Sequence, residues 1–253
     1  RVENVMKYKK PALWTAMTAA VLCAVLAACT VADPLAGDLP EQTEKELPAI
    51  GDTVMLGRYE QDNRSSTGAE PIEWVVVDRN GQSLLLLSRY VLEHCPCDAE
   101  DVQAYTWKSS SLRTWLNGEF AVNAFTEEEL AQLQWLDVDA ESNPVSGLDA
   151  GTPTRDLVFV PSVQEMTRWF ATDTQRAAQP TAYAAARGAY CGEGVQWWLR
   201  TPGSSTGNAA VVDVDGTLDT NGHLAWYPSV GVRPCIVLDT SYGKAETQTA
   251  DSF

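Results

Sequence analysis

The sequence predicts an α+β fold with a twisted antiparallel sheet core, short helices and long loops. Short β-branched and aromatic segments are separated by turn residues along most of the chain. Two capping-box signals for helix starts lie between them. Because about two hundred residues follow position 50, the chain is long enough to bury one sizeable core, and we predict a single domain over 51–238.

The domain is predicted to open as a β-meander. Strands are expected over 53–59, 72–78 and 83–88: the first two ranges are rich in β-branched and aromatic residues, and the third is a continuous apolar run. Asn80 and Gly81 separate the last two with the chemistry of a tight hairpin turn.

Short helices are predicted in the middle of the chain. Residues 111–116 have helical spacing of their apolar side chains. Thr126 with Glu129, and Ser162 with Glu165, each fit the capping box that satisfies free amides at a helix start. Further elements follow from the same patterns, namely a strand over 157–160, a helix over 181–188, and strands over 196–201, 209–214 and 230–238.

Residues 1–29 have the organisation of an export leader. Three lysines precede an apolar run over 11–26, which ends in Leu-Ala-Ala-Cys at Cys29. This ending resembles the bacterial lipobox, in which the cysteine receives a diacylglycerol before cleavage. The run is shorter than the roughly twenty residues of a bilayer-spanning helix, so a retained anchor helix is the less favoured alternative. We therefore predict a lipoprotein of the cell membrane, lipidated at Cys29 and displayed on the extracellular face.

The charge of the chain limits its partners. Its formal net charge is −16, and loss of a basic leader would make it more acidic. Such a surface repels phosphate backbones and anionic lipid heads, so we expect no nucleic-acid partner and membrane contact through the lipid anchor only. Residues 30–50, rich in Pro, Glu, Asp, Thr and Ala, are predicted to be a flexible stalk, and 239–253 a polar tail.

Four cysteines follow the leader: Cys95, Cys97, Cys191 and Cys235. Outside the cytoplasm thiols tend to pair, so one or two disulfides are expected. The two cysteines of a Cys-x-Cys segment join poorly to each other. We therefore predict a bond between Cys191 and Cys235, although spacing alone leaves the connectivity open. Two histidines and no Cys-x-x-Cys pair argue against a structural zinc site.

Three segments near the C-terminus carry a specific resemblance. They read Trp-Trp-Leu-Arg-Thr-Pro-Gly over 197–203, Asn-Ala-Ala-Val-Val over 208–212 and Gly-Val-Arg-Pro-Cys over 231–235. This order resembles the C-terminal half of the formylglycine-generating-enzyme-like (sulfatase-modifying-factor-like) branch of the C-type lectin fold, especially domains of unknown function of gut bacteria. Upstream segments resemble the same domain, so the likeness covers nearly all of 51–238; these segments are 51–52, 57–59, 72–74, 112–117 and 181–183.

The resemblance implies a scaffold and a variable surface. Trp197, Trp198, Arg200 and Arg233 would be structural residues of the scaffold. Some relatives are variable proteins of diversity-generating retroelements, whose C-terminal residues are diversified to change their ligands. Polar groups beside exposed aromatic rings suit a protein or glycan ligand, but ordinary hairpin and loop residues explain the same composition. The implied ligand-binding residues are Ser204, Ser205, Thr206, Asn208, Asp213, Asp219, Asn221, His223, Trp226 and Tyr227.

Arg200 and Arg233 each lie in an apolar segment, where a charged group is costly unless it is paired. The predicted role is an internal hydrogen-bonding hub. Anion binding or catalysis is the alternative, and the lack of a nearby His, Lys or Gly-rich phosphate loop in the sequence argues against it.

The resemblance also brings an enzymatic alternative. The namesake enzyme oxidises a substrate cysteine with copper and a pair of its own cysteines, and only Cys235 stands near that place. Related iron-dependent sulfoxide synthases need a histidine cluster, whereas His94 and His223 are far apart in sequence. A Ser-His-Asp hydrolase is a further alternative, but no motif in the sequence links His94 to a Ser and an Asp. We therefore predict no enzyme, no catalytic residue and no cofactor.

Calcium is a further alternative. Asp213, Asp215, Asp219 and Asn221 are hard oxygen ligands in one short stretch. Their spacing departs from the helix-loop-helix calcium pattern, and a half-exposed hairpin with Asp215 and Gly216 at its turn produces the same alternation. The Glu-Pro-Asn and Trp-Asn-Asp motifs of calcium-dependent animal lectins are missing. The predicted function is thus a surface module for an extracellular protein or glycan, with an enzyme of the formylglycine-generating type or a structural protein without a ligand as alternatives.

Overall fold

Twelve short strands and a set of short helices make up the fold in a computed structural model, which describes residues 47–100, 103–188 and 194–242. The predicted leader, the lipidation site Cys29, nearly all of the stalk, Cys191 and most of the tail lie outside these residues. The described residues belong to one compact unit, and the predicted α+β class is confirmed.

The first sheet has five strands in the order β1-β2-β3-β12-β7, and all of its pairs are antiparallel. The β2–β3 hairpin turns at Asn80 and Gly81, as the sequence predicts, and Gly81 has a φ of +58°. The strands are β1 Thr53–Tyr59, β2 Glu70–Asn80, β3 Ser83–Ser88, β7 Val158–Phe159 and β12 Cys235–Asp239.

The second sheet has the order β10-β9-β8-β11-β4, so β10 lies at its edge. It combines antiparallel pairs with one parallel pair between β8 and β11, where Trp197 lies opposite Gly231. Its strands are β4 Glu93–His94, β8 Trp197–Pro202, β9 Asn208–Val212, β10 Leu218–Leu224 and β11 Gly231–Val232; the separate pair is β5 Leu136–Val138 with β6 Thr154–Asp156.

The helices are short, and in sequence they all lie between β4 and β8. Both predicted capping boxes are confirmed, at Thr126 with Glu129 and at Ser162 with Glu165. No helix among the described residues is long and apolar enough to cross a membrane. The helices are α1 Ser111–Trp115, α2 Ala121–Ala124, α3 Glu127–Gln132, α4 Val163–Trp169, α5 Asp173–Arg176 and α6 Ala182–Ala186. A 3₁₀ turn lies at Trp107–Ser109 and a π turn at Leu116–Phe120.

The core lies between the sheets and the helices, and every residue of β8 is buried. Trp74, Trp197 and Trp198 have no exposed surface. The indole nitrogens of Trp74 and Trp198 donate to backbone carbonyls of Leu56 and Cys95, at 2.8 and 2.9 Å. Burying three rings of this size contributes several kcal/mol to stability.

Two sequence predictions differ from the structure. The range 230–238 is not one strand: β11 belongs to the second sheet and β12 to the first, because Pro234 has no N–H for a ladder and the chain changes sheets there. The strand β10 was not predicted as such, since its polar sequence lacks an apolar alternation. It forms by pairing with β9.

The predicted disulfide involves Cys191, which lies outside the described residues. Among the described residues, Cys95, Cys97 and Cys235 are free thiols. The side chain of Cys235 is fully enclosed where β12 runs between β3 and β7, opposite Leu87 and Phe159. Strand neighbours on both sides leave this thiol surrounded by core residues.

Candidate ligand-binding site

The β9–β10 hairpin positions the candidate site through a bulge. The pairing register of β10 against β9 shifts between Asp219 and His223, and Gly222 within the bulge has a φ of +68°. A Cβ at Gly222 would lie 2.0 Å from the carbonyl oxygen of Ala209, so only glycine fits. Bulges redirect the side chains beside them, and here the neighbour is His223.

The segment that follows β10 is held by backbone hydrogen bonds. Ala225 is fully buried; its N–H donates to Gly207 at 2.8 Å, and its carbonyl accepts from Asp98 at 3.0 Å. The N–H of Tyr227 closes a turn onto Leu224 at 2.8 Å. These bonds fix Trp226 and Tyr227 in a partly exposed position, each with 39% of its surface accessible.

His223 and Tyr227 stack on one another. Their ring centroids are 5.3 Å apart and their planes differ by 16°, and both rings line a pocket of about 410 Å³. An aromatic pair of this kind contributes about 0.5–1.5 kcal/mol beyond its burial. The other lining residues are Gly188, Gln196, Val214 and Ser229. The pocket therefore combines a flat aromatic wall, an exposed valine, an amide and a hydroxyl group.

Asp213 does not line this pocket, but it binds Gln196, which does. Its Oδ1 accepts hydrogen bonds from the side-chain amide of Gln196 at 3.0 Å and from the N–H of Val214 at 2.7 Å. The carboxylate thus orients Gln196, whose amide lines the pocket. Gln196 and Ser229 were not predicted as site residues. They are separated from the hairpin in sequence, and only the folding of β8 and β11 beside it brings them there.

The remaining predicted surface residues lie beside β10. Ser204, Ser205 and Thr206 are exposed on the β8–β9 loop, while Asp219 and Asn221 lie on β10. The loop and strand are joined by backbone bonds, with the N–H of Ser204 donating to the carbonyl of Asn221 at 3.1 Å. The amide of Asn208 donates to the same carbonyl at 3.3 Å. The structure therefore places all ten predicted residues on the β8–β10 region, with His223 and Tyr227 in the pocket itself.

Two buried side chains that sequence reasoning missed fasten this region to the rest of the fold. The guanidinium of Arg176, in α5, donates to the carbonyl of Gly216 at the β9–β10 turn at 3.0 Å. The amide of Asn143 donates to the carbonyls of Pro202 and Thr220 at 2.9 and 2.8 Å. Neither residue lies in a recognisable motif, so no local signal could have identified its role.

Arg200 and Arg233 lie inside the fold. The guanidinium of Arg200 forms an ion pair with Glu165 and donates to the carbonyl of Val160 at 3.1 Å. The guanidinium of Arg233 donates to the carbonyl of Ser88 at 2.7 Å and lies 5.1 Å from the ring centre of Trp197. Burial lowers the pKa of Arg233 to about 10, which still leaves it charged at neutral pH. These contacts agree with the predicted hydrogen-bonding role.

Cys235 and His94 are two further side chains with reactive groups. Cys235 has no exposed surface, and burial raises the pKa of its thiol well above the usual value. Burial, rather than a charged neighbour, is also the main factor lowering the pKa of His94. Thiol chemistry at Cys235 would require the core to open, because described residues cover its whole surface.

Carboxylates come together at a place that the sequence did not suggest. Ligand oxygens of Glu60, Asp62 and Glu70 lie within 4.8 Å of one another in the β1–β2 loop, which could accept a hard cation such as calcium. In this loop, Glu70 accepts the N–H of Gln61 at 2.7 Å. In the β9–β10 hairpin, Asp215 accepts the N–H of Thr217 at 2.9 Å and Asp219 accepts the N–H of Asn221 at 2.9 Å.

The chain matches the family model described as Domain of unknown function (DUF6273) over residues 81–240. The chain belongs to this family. The DUF6273 match begins at the β2–β3 turn and includes every lining residue of the pocket with the His223–Tyr227 stack, whereas β1 and β2 precede it. Neither a curated protein nor a solved structure matches the chain. Function in this member of DUF6273 therefore has to be inferred from the geometry of its sites.

Proposed function

We propose that this DUF6273 protein is a ligand-binding module with a C-type lectin-like fold, displayed on the cell surface by a lipid anchor at Cys29. The observation that carries the proposal is the stacked pair of His223 and Tyr227 in the wall of a 410 Å³ pocket. This volume falls in the range of roughly 300–1,000 Å³ for small-molecule sites. The two segments that carry the resemblance, 197–203 and 231–235, lie side by side where β8 pairs with β11.

The pocket has the chemistry of recognition rather than of bond breaking. Aromatic faces stack on flat apolar surfaces of a ligand, while Gln196 and Ser229 supply hydrogen bonds around them. None of its described lining residues is an aspartate, glutamate, lysine, arginine or cysteine. The expected ligand is therefore an extracellular protein or glycan with an uncharged contact group.

The rigidity of the 225–229 segment supports the same proposal. The bonds of Ala225 to Gly207 and Asp98 hold the 225–229 segment before any ligand arrives. A site ordered in advance loses less conformational entropy on binding. Exposed Trp226 and Leu224 extend the apolar surface beyond the pocket.

The test is ligand capture on glycan and protein arrays with the full chain. The double variant Trp226→Ala/Tyr227→Ala should lose at least tenfold in affinity for any ligand found, because both rings are exposed at the site. A matched control is Trp135→Ala/Tyr242→Ala, which removes a tryptophan and a tyrosine that are 53% and 56% exposed and do not line the pocket. Equal losses in both variants, or no capture by the wild type, would contradict the proposal and favour a structural surface protein.

Diversification by a retroelement is part of the same proposal for the exposed positions Ser204, Ser205, Thr206 and Asn221. The expected sign is a reverse transcriptase gene with a near-identical template repeat beside this gene. Without them, the module has one fixed specificity.

A further inference from the structure

The pocket with the His223–Tyr227 stack takes its polar groups from one face of the second sheet. Gln196 and Asp213 extend the pairing of β8 with β9, and a hydrogen bond of 3.0 Å joins their side chains. Side chains alternate along β9, so Asp213 shares its face with Ala209, which pairs with His223. Gln196, Asp213 and His223 therefore lie on the same face, and Tyr227 stacks on the last of them.

The aromatic stack leaves ring surface open to a ligand. Two rings in full face-to-face contact would have centroids about 3.5–4.0 Å apart. The centroids of His223 and Tyr227 are 5.3 Å apart, although the ring planes differ by only 16°. The rings are therefore offset, and neither covers the whole face of the other. Tyr227 keeps 39% of its surface accessible, so an apolar face of a ligand can pack there.

The polar groups of the lining have unused hydrogen-bonding capacity. The side chains of His223, Tyr227 and Ser229 form no hydrogen bond with other described residues. The side-chain amide of Gln196 donates to Asp213, and its Oε1 accepts no hydrogen bond within the same part of the chain. An amide, two hydroxyl groups and an imidazole can all donate and accept. A ligand without polar groups would displace their water and leave them unpaired, which weakens binding.

The charges around the pocket disfavour an anionic ligand. Neither lysine nor arginine is among the described lining residues. The carboxylate of Asp213 lies one hydrogen bond behind Gln196, and the whole chain has a net charge of −16. A carboxylate or phosphate group in the pocket would meet negative charge without a counter-charge. The matching ligand therefore has an apolar face and several neutral groups that both donate and accept.

We infer that this pocket binds a neutral pyranose sugar residue. The inference rests on the ligand-binding function proposed above and narrows it to one class of ligand. The C–H face of the sugar ring packs on Tyr227 and His223, while hydroxyl groups around the ring bond to Gln196 and Ser229. A nucleoside base also has a flat face, but its polar atoms lie only in the plane of its ring. Binding needs no calcium ion, since no carboxylate is among the described lining residues.

Saturation-transfer NMR of the full chain with the methyl glycosides of glucose, galactose and mannose tests the inference. At least one should bind in the presence of a calcium chelator, and the uronate form of the same sugar should bind more weakly. Tyr227→Ala, which removes packing surface, and Gln196→Met, which removes the amide, should each weaken binding about tenfold or more. Tyr242→Ala and Gln164→Met change exposed side chains of the same types outside the pocket and should leave binding unchanged.

Three results would overturn the inference. The first is no binding of any of the three glycosides by protein whose circular dichroism is that of the folded chain. If arrays then find a protein ligand that requires Trp226 and Tyr227, the proposed binding function stands without a sugar; if they find none, both fall. The second is tighter binding of adenosine than of any glycoside. The third is equal binding of the uronate form, or an equal loss in the two control variants.

Discussion

Glu165 caps the start of α4 and pairs with Arg200 of β8 at the same time. Its carboxylate accepts the N–H of Ser162 at 2.9 Å, as a capping box requires, and a guanidinium nitrogen of Arg200 at 2.8 Å. One carboxylate thus joins a helix start to the second sheet, and the side chain of Arg200 is only 3% exposed. The helix position and the strand position are therefore set by a single shared group.

Removing Arg200 should be costly. Arg200→Ala leaves the carboxylate of Glu165 largely buried without its cation, and we expect the free energy of unfolding to fall by about 3–5 kcal/mol. Urea denaturation followed by circular dichroism measures it. The control is Arg89→Ala, whose pair with Glu73 is 3.5 Å long and about half exposed. That change should cost less than about 1 kcal/mol. Similar costs for both variants would show that the Arg200 pair is not a stabilising link.

Gly222 should resist substitution because its bulge sets the position of His223. Gly222→Ala places a Cβ 2.0 Å from the carbonyl oxygen of Ala209, and we expect a loss of more than about 3 kcal/mol in stability. Gly81→Ala has a similar positive φ of +58° but open space around the Cβ, so it should cost about 1–2 kcal/mol. Comparing the two variants by thermal unfolding separates the clash from the backbone conformation. Equal losses would mean that the close approach to β9 does not constrain the bulge.

The Cys95 thiol should react slowly in the folded protein. Burial, together with the nearby charge of Glu93, raises its pKa to about 12, whereas a free cysteine titrates near 8.5. At pH 8 we expect alkylation of Cys95 to be roughly 100-fold slower than in the chain unfolded by urea. Peptide mapping by mass spectrometry follows this residue separately from the other thiols.

The same pKa predicts a pH dependence of stability. A thiol whose pKa is raised by folding favours the folded state fully below about pH 8.5, and this contribution is lost as the pH rises towards 12. Cys95→Ala should therefore flatten the fall in stability between pH 8 and 10. Glu93→Gln removes the charge that raises the pKa and should make Cys95 react faster. An unchanged rate would leave burial as the sole cause.

The proposed lipidation at Cys29 predicts a cellular location that fractionation can measure. Cys29→Ala should move the protein from the membrane fraction to the soluble exported fraction, since the acyl chains supply the anchoring free energy. Cys23→Ala, in the apolar run of the predicted leader, is the matched control and should leave the protein with the membrane. Membrane retention of Cys29→Ala would contradict the lipid anchor.

Local sequence patterns predicted the elements whose structure depends on residues close together in the chain. The β-branched run of β1 and the apolar run of β3 form strands with the predicted bounds. Thr126 and Ser162 begin helices because their side chains satisfy amides only three residues away. These interactions depend on neighbours in sequence and are therefore readable from it.

Contacts between residues far apart in sequence could not be predicted from local sequence patterns. Strand β10 has no apolar alternation and exists because β9 supplies its hydrogen-bonding partners. The range 230–238 looks uniformly apolar, yet Pro234 divides it between two sheets. Gln196 enters the pocket through its bond to Asp213, 17 residues away, which no spacing rule indicates.

The sequence by itself determined the α+β class, the starts of α3 and α4 and the acidic charge, because residue type and short-range periodicity carry this information. The tertiary structure decided that the rings of His223 and Tyr227 stack and that Gly222 and Asp213 position the pocket. Such arrangements depend on which distant strands pair and where the chain changes sheets. The free energy of those contacts is a property of the packed molecule rather than of any segment.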